Sequence, residues 1–134
     1  MYIKRVLIIV CVCIFFSCQS ANQKKILGKW TGTFVEMEYW IGENNTEFSR
    51  QRGTGSAELE FSDDKCHSKL AFNESYQVDR DQVYDYTIEG DTIYNFLGKP
   101  ILVIEFMTPI SLKMRGVNQN LNIIYDLHRA ITQN

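Results

Sequence analysis

Cysteine and histidine are the residue types here best suited to covalent or metal chemistry, and the chain has four cysteines and two histidines. Cys66-His67 is the one adjacent pair. A thiolate activated by an imidazole makes a nucleophile, and thiolates with imidazoles hold transition metals. The spacing supports neither. Neighbours on a strand point to opposite faces, so the two side chains diverge. His128 is distant in sequence, and no His-x-His, His-Glu-x-x-His or Cys-x-x-Cys occurs. No serine sits in a Gly-x-Ser-x-Gly elbow. The carboxylates mostly alternate with apolar residues, as solvated charge on an outer face does. These patterns point away from an enzyme, a metal site or a cofactor. Cys66 reads as a small buried apolar side chain, or as a thiol that pairs with another chain.

Cys18 stands in a different context. Lys4 and Arg5 precede an apolar run from Val6 to Phe16, then Ser17 and Cys18. Basic start, short apolar stretch and small residue are the anatomy of a secretory signal, too short to cross a ~30 Å hydrocarbon core as a helix. Phe15-Phe16-Ser17-Cys18 resembles the lipobox of bacterial lipoproteins and looks like such signals from Bacteroidota. The resemblance implies diacylglycerol on the Cys18 sulfur and cleavage after residue 17. Each buried methylene contributes about 0.8 kcal/mol, so several acyl chains anchor firmly. The chain then divides into a signal peptide, 1–17, a lipidated cysteine and polar tether, 18–25, and one domain, 26–134.

Residues 26–134 suit one small domain that can bury a core without disulfides. Cys11 and Cys13 leave with the signal and Cys18 carries lipid, so Cys66 has no partner within the monomer. Losing Lys4 and Arg5 moves the formal charge from −2 to −4. That acidity excludes a nucleic-acid partner, which calls for a basic face. The tether QSANQKK lacks the acidic run that often follows the cysteine in surface-displayed lipoproteins of Bacteroidota. The expected location is the outer membrane, lipid-anchored, on the periplasmic side rather than the cell surface.

The domain reads as strands. Ala57, Leu59 and Phe61 alternate with Glu58 and Glu60, and Tyr84, Tyr86 and Ile88 alternate with Asp85, Thr87 and Glu89. Gly90-Asp91 between two such runs signals a hairpin. Ile110, Leu112 and Met114, then Leu121, Ile123, Tyr125 and Leu127, continue the pattern, and Pro100 and Pro109 fall at strand starts. The count comes to about eight strands: 30–40, 53–61, 66–73, 83–89, 92–96, 101–107, 110–115 and 121–127. Short antiparallel strands in this number predict an all-β, up-and-down barrel, whose closure removes sticky edges. An open sandwich is the alternative.

Gly28-Lys29-Trp30 resembles the Gly-x-Trp signature that opens the first strand of lipocalins, and Arg129 follows the last strand. The chain is similar to the small lipocalin-like lipoproteins of Bacteroidota. The resemblance implies that Trp30 closes one end of the barrel under Arg129, and that the interior takes an apolar ligand. A phase conflict arises in the first strand. Trp30 inward also puts Gly32, Phe34, Glu36, Glu38 and Trp40 inside, whereas the opposite phase buries Thr33, Val35, Met37 and Tyr39. A bulge near Gly32 would reconcile the two. Otherwise Glu36 or Glu38 lines the cavity as a polar anchor. Burying an unpaired carboxylate is costly, which favours the bulge.

Tyr84, Tyr86, Phe106, Leu112, Met114 and Tyr125 fall on inward faces and are the candidate ligand contacts. The same side chains could instead simply fill the barrel. The polar stretch 41–52 is expected to hang over one mouth as a lid or a partner-binding loop. Asp91-Thr92-Ile93 matches the Asp-Ser/Thr-apolar pattern of O-glycosylation in Bacteroidota, which makes Thr92 a candidate acceptor. A rival reading is a protein-interaction module, an inhibitor or assembly factor, with a filled barrel and Ile101 and Val103 on its outer face. Expected partners are therefore the membrane, through lipid, and a small ligand or an envelope protein. Replacing Cys18 with Ala should release the protein from membranes; continued sedimentation with them would overturn the lipoprotein reading.

Overall fold

The computed structural model describes residues 22–118 and 120–131. The expected signal peptide, 1–17, and Cys18 lie outside the described residues. Eight strands run in chain order: β1 (Gly28–Ile41), β2 (Glu47–Phe61), β3 (Lys65–Phe72), β4 (Arg80–Glu89), β5 (Thr92–Asn95), β6 (Pro100–Met107), β7 (Ser111–Gly116) and β8 (Leu121–Arg129). Each pairs antiparallel with the next, and β8 returns to β1, so the sheet closes into an up-and-down barrel and not an open sandwich. The two open edges satisfy each other's N–H and C=O groups from Trp30↔Arg129 to Glu38↔Leu121.

The alternation seen in the sequence has a physical cause. A closed sheet of this size has one dry face, so every second residue must be apolar or paired. Trp30, Phe34, Leu59, Phe61, Cys66, Ile93, Leu112, Met114 and Leu127 are buried inside. Their neighbours Glu58, Glu60, Lys69, Lys113 and Asp126 face water or half-face it. Outer ion pairs Lys29–Glu58, at 3.0 Å, and His67–Asp81, at 2.5 Å, follow from this placement. Such exposed pairs contribute little, roughly 0–1 kcal/mol each.

Register shifts interrupt three ladders, β1–β2, β5–β6 at Ile101, and β6–β7, and the first and last of these bear on the expected inward faces. In the β1–β2 ladder Glu36 faces Gly53 but Met37 faces Gln51, so Arg52 is the extra residue and the bulge lies in β2. No bulge falls at Gly32. β1 keeps one phase, and Glu36 is inside the barrel at 2% exposure. The expected bulge near Gly32 is thus corrected: the interior accepts the carboxylate because it is paired. The last of these shifts lies in β6, where Ile104 faces Met114 but Phe106 faces Lys113. Glu105 takes the extra place, and the phase after Ile104 reverses. Phe106 is therefore 51% exposed, which corrects its expected inward position.

The stretch 41–52 is also revised. Most of it is strand, since β1 and β2 stay paired out to Ile41↔Glu47, and the connection is a tight turn around Glu43–Asn45. β1 and β2 run past β8 and β3, so the hairpin projects beyond the barrel as an arm. Trp40 and Phe48 stack across it with ring centroids 5.6 Å apart, and the Arg50 guanidinium lies 5.6 Å from the Trp40 ring.

Tight curvature needs a missing side chain at Gly55. A Cβ there would lie 1.9 Å from the Ala71 carbonyl oxygen and 2.9 Å from the Phe34 ring. Neither neighbour can retreat without breaking the β2–β3 ladder. Gly55→Ala should cost about 1–3 kcal/mol, the usual range for overpacking; urea denaturation reads it, and an unchanged midpoint would contradict the stated packing.

Candidate functional site

The barrel has one sealed end and one open end. At the sealed end residues 22–26 form a helical turn instead of a free tether. Asn22 donates to the Gly90 carbonyl at 2.8 Å and Gln23 donates to the Asp63 carbonyl at 3.0 Å. Ile26 is buried and its carbonyl accepts from the Trp30 indole at 2.8 Å. Over Trp30 lies Arg129, its guanidinium carbon 3.9 Å from the ring centroid. The same guanidinium donates to the carbonyls of Leu27, Lys25 and Pro109. It therefore ties the entry of β1, the exit of β8 and the β6–β7 turn into one plug, with the stacking itself contributing roughly 0.5–2 kcal/mol. Gly28 has a φ of 107°, the left-handed region that favours glycine, and leaves room for Arg129.

Tyr86 belongs to this plug and does not face an open cavity. Its hydroxyl donates to the Ser62 carbonyl at 2.5 Å and accepts from Gln23 at 2.7 Å. Its ring meets Phe61 edge-on with centroids 5.3 Å apart. Burial pushes its pKa up to about 12. Leu112 and Met114 are wholly packed in the core. Thr92 is half-buried at the start of β5, opposite Val103, and Asp91 beside it is exposed.

At the open end a cavity of about 410 Å³ enters the barrel between β3, β4, β6 and β8. Tyr84, Tyr125, Leu70, Leu102 and Ile123 form much of its wall. So two of the six expected contacts, Tyr84 and Tyr125, share this cavity, while Tyr86, Leu112 and Met114 lie deeper and Phe106 lies outside. Ile101 is half-buried at the cavity, and Val103, half-buried between inward Leu102 and Ile104, keeps the outer face of β6.

The polar part of the cavity was not legible strand by strand. Arg80 opens β4, three residues before the strand expected at 83. Inward alternation through Tyr86, Tyr84 and Gln82 leads to Arg80 and would have found it. Ser68 pairs with Gln82 and Leu70 with Arg80 across the β3–β4 ladder, which puts four cavity residues side by side. The Arg80 guanidinium reaches back 3.0 Å to Oε2 of Glu36 and lies 5.1 Å from the Phe72 ring centroid. Its contact with Glu36 is an ion pair without hydrogen-bond geometry, since Oε2 has no hydrogen-bond partner. Glu36 is buried and Arg80 half-exposed, so removing Arg80 would leave a buried carboxylate unpaired, which is the costly direction.

Cys66 is fully buried beside Tyr84. Burial pushes its thiol up to about 11, with the Tyr84 hydrogen bond opposing that shift. Burial also pushes Tyr125 up to about 12, against the hydrogen bond from Ser68. Tyr84 is raised well above the ordinary tyrosine range, again chiefly by burial. All of these groups are protonated and neutral at physiological pH, and Cys66 is a packing residue and not a thiolate.

Comparison with known proteins finds no protein-family model that matches the chain and no curated protein that resembles it. What the site does must therefore be argued from its own residues.

A pH consequence follows from Cys66. Its ordinary value is 9.0 and its folded value about 11, so the folded state holds a proton that the unfolded chain gives up. This stability is complete below pH 9 and is lost as pH rises towards 11, about 2–3 kcal/mol in all. Cys66→Ala should flatten the stability curve between pH 9 and 11, as read by thermal melts in that range. An equally steep fall in the variant would refute the linkage.

Proposed function

We propose that this protein is a lipid-anchored envelope protein whose lipocalin-like barrel holds a small amphipathic molecule in its open end. The single observation that carries the reading is the cavity at one end opposite a plug at the other. A filled barrel would bring side chains together at both ends. Here the wall residues Leu70, Leu102, Ile123 and Tyr84 leave about 410 Å³ between them. A mostly apolar wall with a few polar groups is the composition that binds small ligands. The anchor proposed at Cys18 would enter the fold at the plugged end, because residues 22–26 pack there. That arrangement leaves the mouth unobstructed by the tether.

The second reading, a protein-interaction module, draws on a different observation. Trp40, Ile41 and Phe48 on the arm, Val78 after β3, and Phe96 and Leu97 after β5 are all exposed at the open end. Apolar side chains on separate loops around one mouth are unusual for a monomer surface and suit contact with another body. The two readings are compatible where a partner delivers the ligand.

Native mass spectrometry of residues 19–134 discriminates them. A reproducible extra mass, lost on denaturation, is expected; a bare polypeptide that stays bare after exposure to envelope lipid extract would sink the ligand reading. Tyr125→Lys should abolish that adduct, whereas Phe106→Lys should leave it intact. Loss of the adduct in the Phe106 variant would mean that the site lies elsewhere.

A further inference from the structure

Taking the open-end cavity as the ligand site, we infer that it selects molecules whose polar head is a neutral hydrogen-bond acceptor, such as an ester, amide or ketone, over the corresponding carboxylate. The inference rests on that functional reading and on the way charge is arranged behind the cavity wall. Arg80 is the cation that lines it, with a side chain 37% exposed. A lone guanidinium in such a place would take a carboxylate head. This one is not alone. The Glu36 carboxylate stands behind it at 3.0 Å and is 2% exposed. An acid head placed on Arg80 would put two carboxylates on one guanidinium, with a net negative charge beside a Glu36 that is removed from water. Like charges at such separations repel strongly once water is excluded.

A neutral acceptor avoids that conflict. Arg80 is in ionic contact with Glu36 but not in a hydrogen-bonding geometry, so its fork of donors can meet a carbonyl oxygen without adding charge. The other polar groups at the wall lean the same way. Asn95 spends its side-chain oxygen on the backbone N–H groups of Leu97 and Lys99, both at 3.0 Å, which leaves its amide N–H₂ as a donor. Ser68 and Tyr125 contribute hydroxyls. Asp85, the one acid among the lining residues, points outward between Tyr84 and Tyr86 and is held by Lys65 at 2.5 Å. A cationic head is disfavoured too, because Arg80 lies between the cavity and Glu36. Donors face the ligand and the acceptor charge is hidden behind them.

Two probes of equal chain length test this: octanoic acid at neutral pH and methyl octanoate. Equilibrium dialysis of each against the full chain in nanodiscs, with empty nanodiscs as the blank, gives their dissociation constants. The native protein should bind the ester about tenfold or more tightly than the acid. In Glu36→Gln the hidden charge is gone, Arg80 becomes an unpaired cation, and the preference should vanish or reverse. A thermal melt checks that the variant is folded. Should it fail to fold, the native ratio decides alone. Equal or tighter binding of the acid by the native protein would overturn the inference and leave the cavity reading standing, as would an unchanged ratio in folded Glu36→Gln. Binding of neither probe would overturn the cavity reading, and this inference with it.

Discussion

Strand β1 is hydrogen-bonded along both edges, to β2 on one side and to β8 on the other, and runs without a bulge of its own. That double pairing removes its freedom to rotate. Once Trp30 is inside, Phe34 and Glu36 must be inside as well, because each second residue of a strand shares a face. A carboxylate is thereby forced into the barrel wall. The barrel meets the demand with Arg80, brought opposite by the β3–β4 ladder. The cavity's polarity is thus a consequence of closure.

The two ends of the barrel divide the work. At the plugged end one guanidinium satisfies three carbonyls and covers an indole, so chain segments distant in sequence are held by a single side chain. Trp30, Ile26 and the Tyr86 hydroxyl add a dry, fully hydrogen-bonded interior there. Among the described residues the open end has no counterpart to Arg129. Its loops carry exposed aromatic and aliphatic side chains, and its inner wall carries the hydroxyls of Ser68 and Tyr125 beside the Arg80–Glu36 pair. A tied-down pole opposite an open one is the contrast on which the proposed ligand reading rests.

Cys66, Tyr84 and Tyr125 show how burial shapes the chemistry that remains. Each is a group that could ionise, and each is held neutral by removal from water. Among the described residues the interior therefore carries a single ion pair, Arg80–Glu36, and several neutral donors. Hydrogen bonding and shape, with no net charge, are what such a wall presents to a guest.

The eight-strand barrel was legible because its signal is local. Alternation with period two, Gly90-Asp91 at a hairpin and prolines at strand starts each depend on a few adjacent residues. The meeting of Trp30 with Arg129 was expected for a different reason: the resemblance to lipocalins implies such a closure, and the guanidinium does lie 3.9 Å from the ring centroid. What could not be read was phase after a bulge and the identity of cross-barrel partners. The bulge at Arg52 is set by the register against β1, and the one at Glu105 by the register against β7. Alternation in Ile101–Phe106 alone puts Phe106 inside; the partner strand puts it out. Glu36 looked too costly to bury because its partner Arg80 is far away in sequence and lay just before the strand expected there. A carboxylate's burial cost depends on what faces it across the barrel, and that proximity exists only once the sheet has closed.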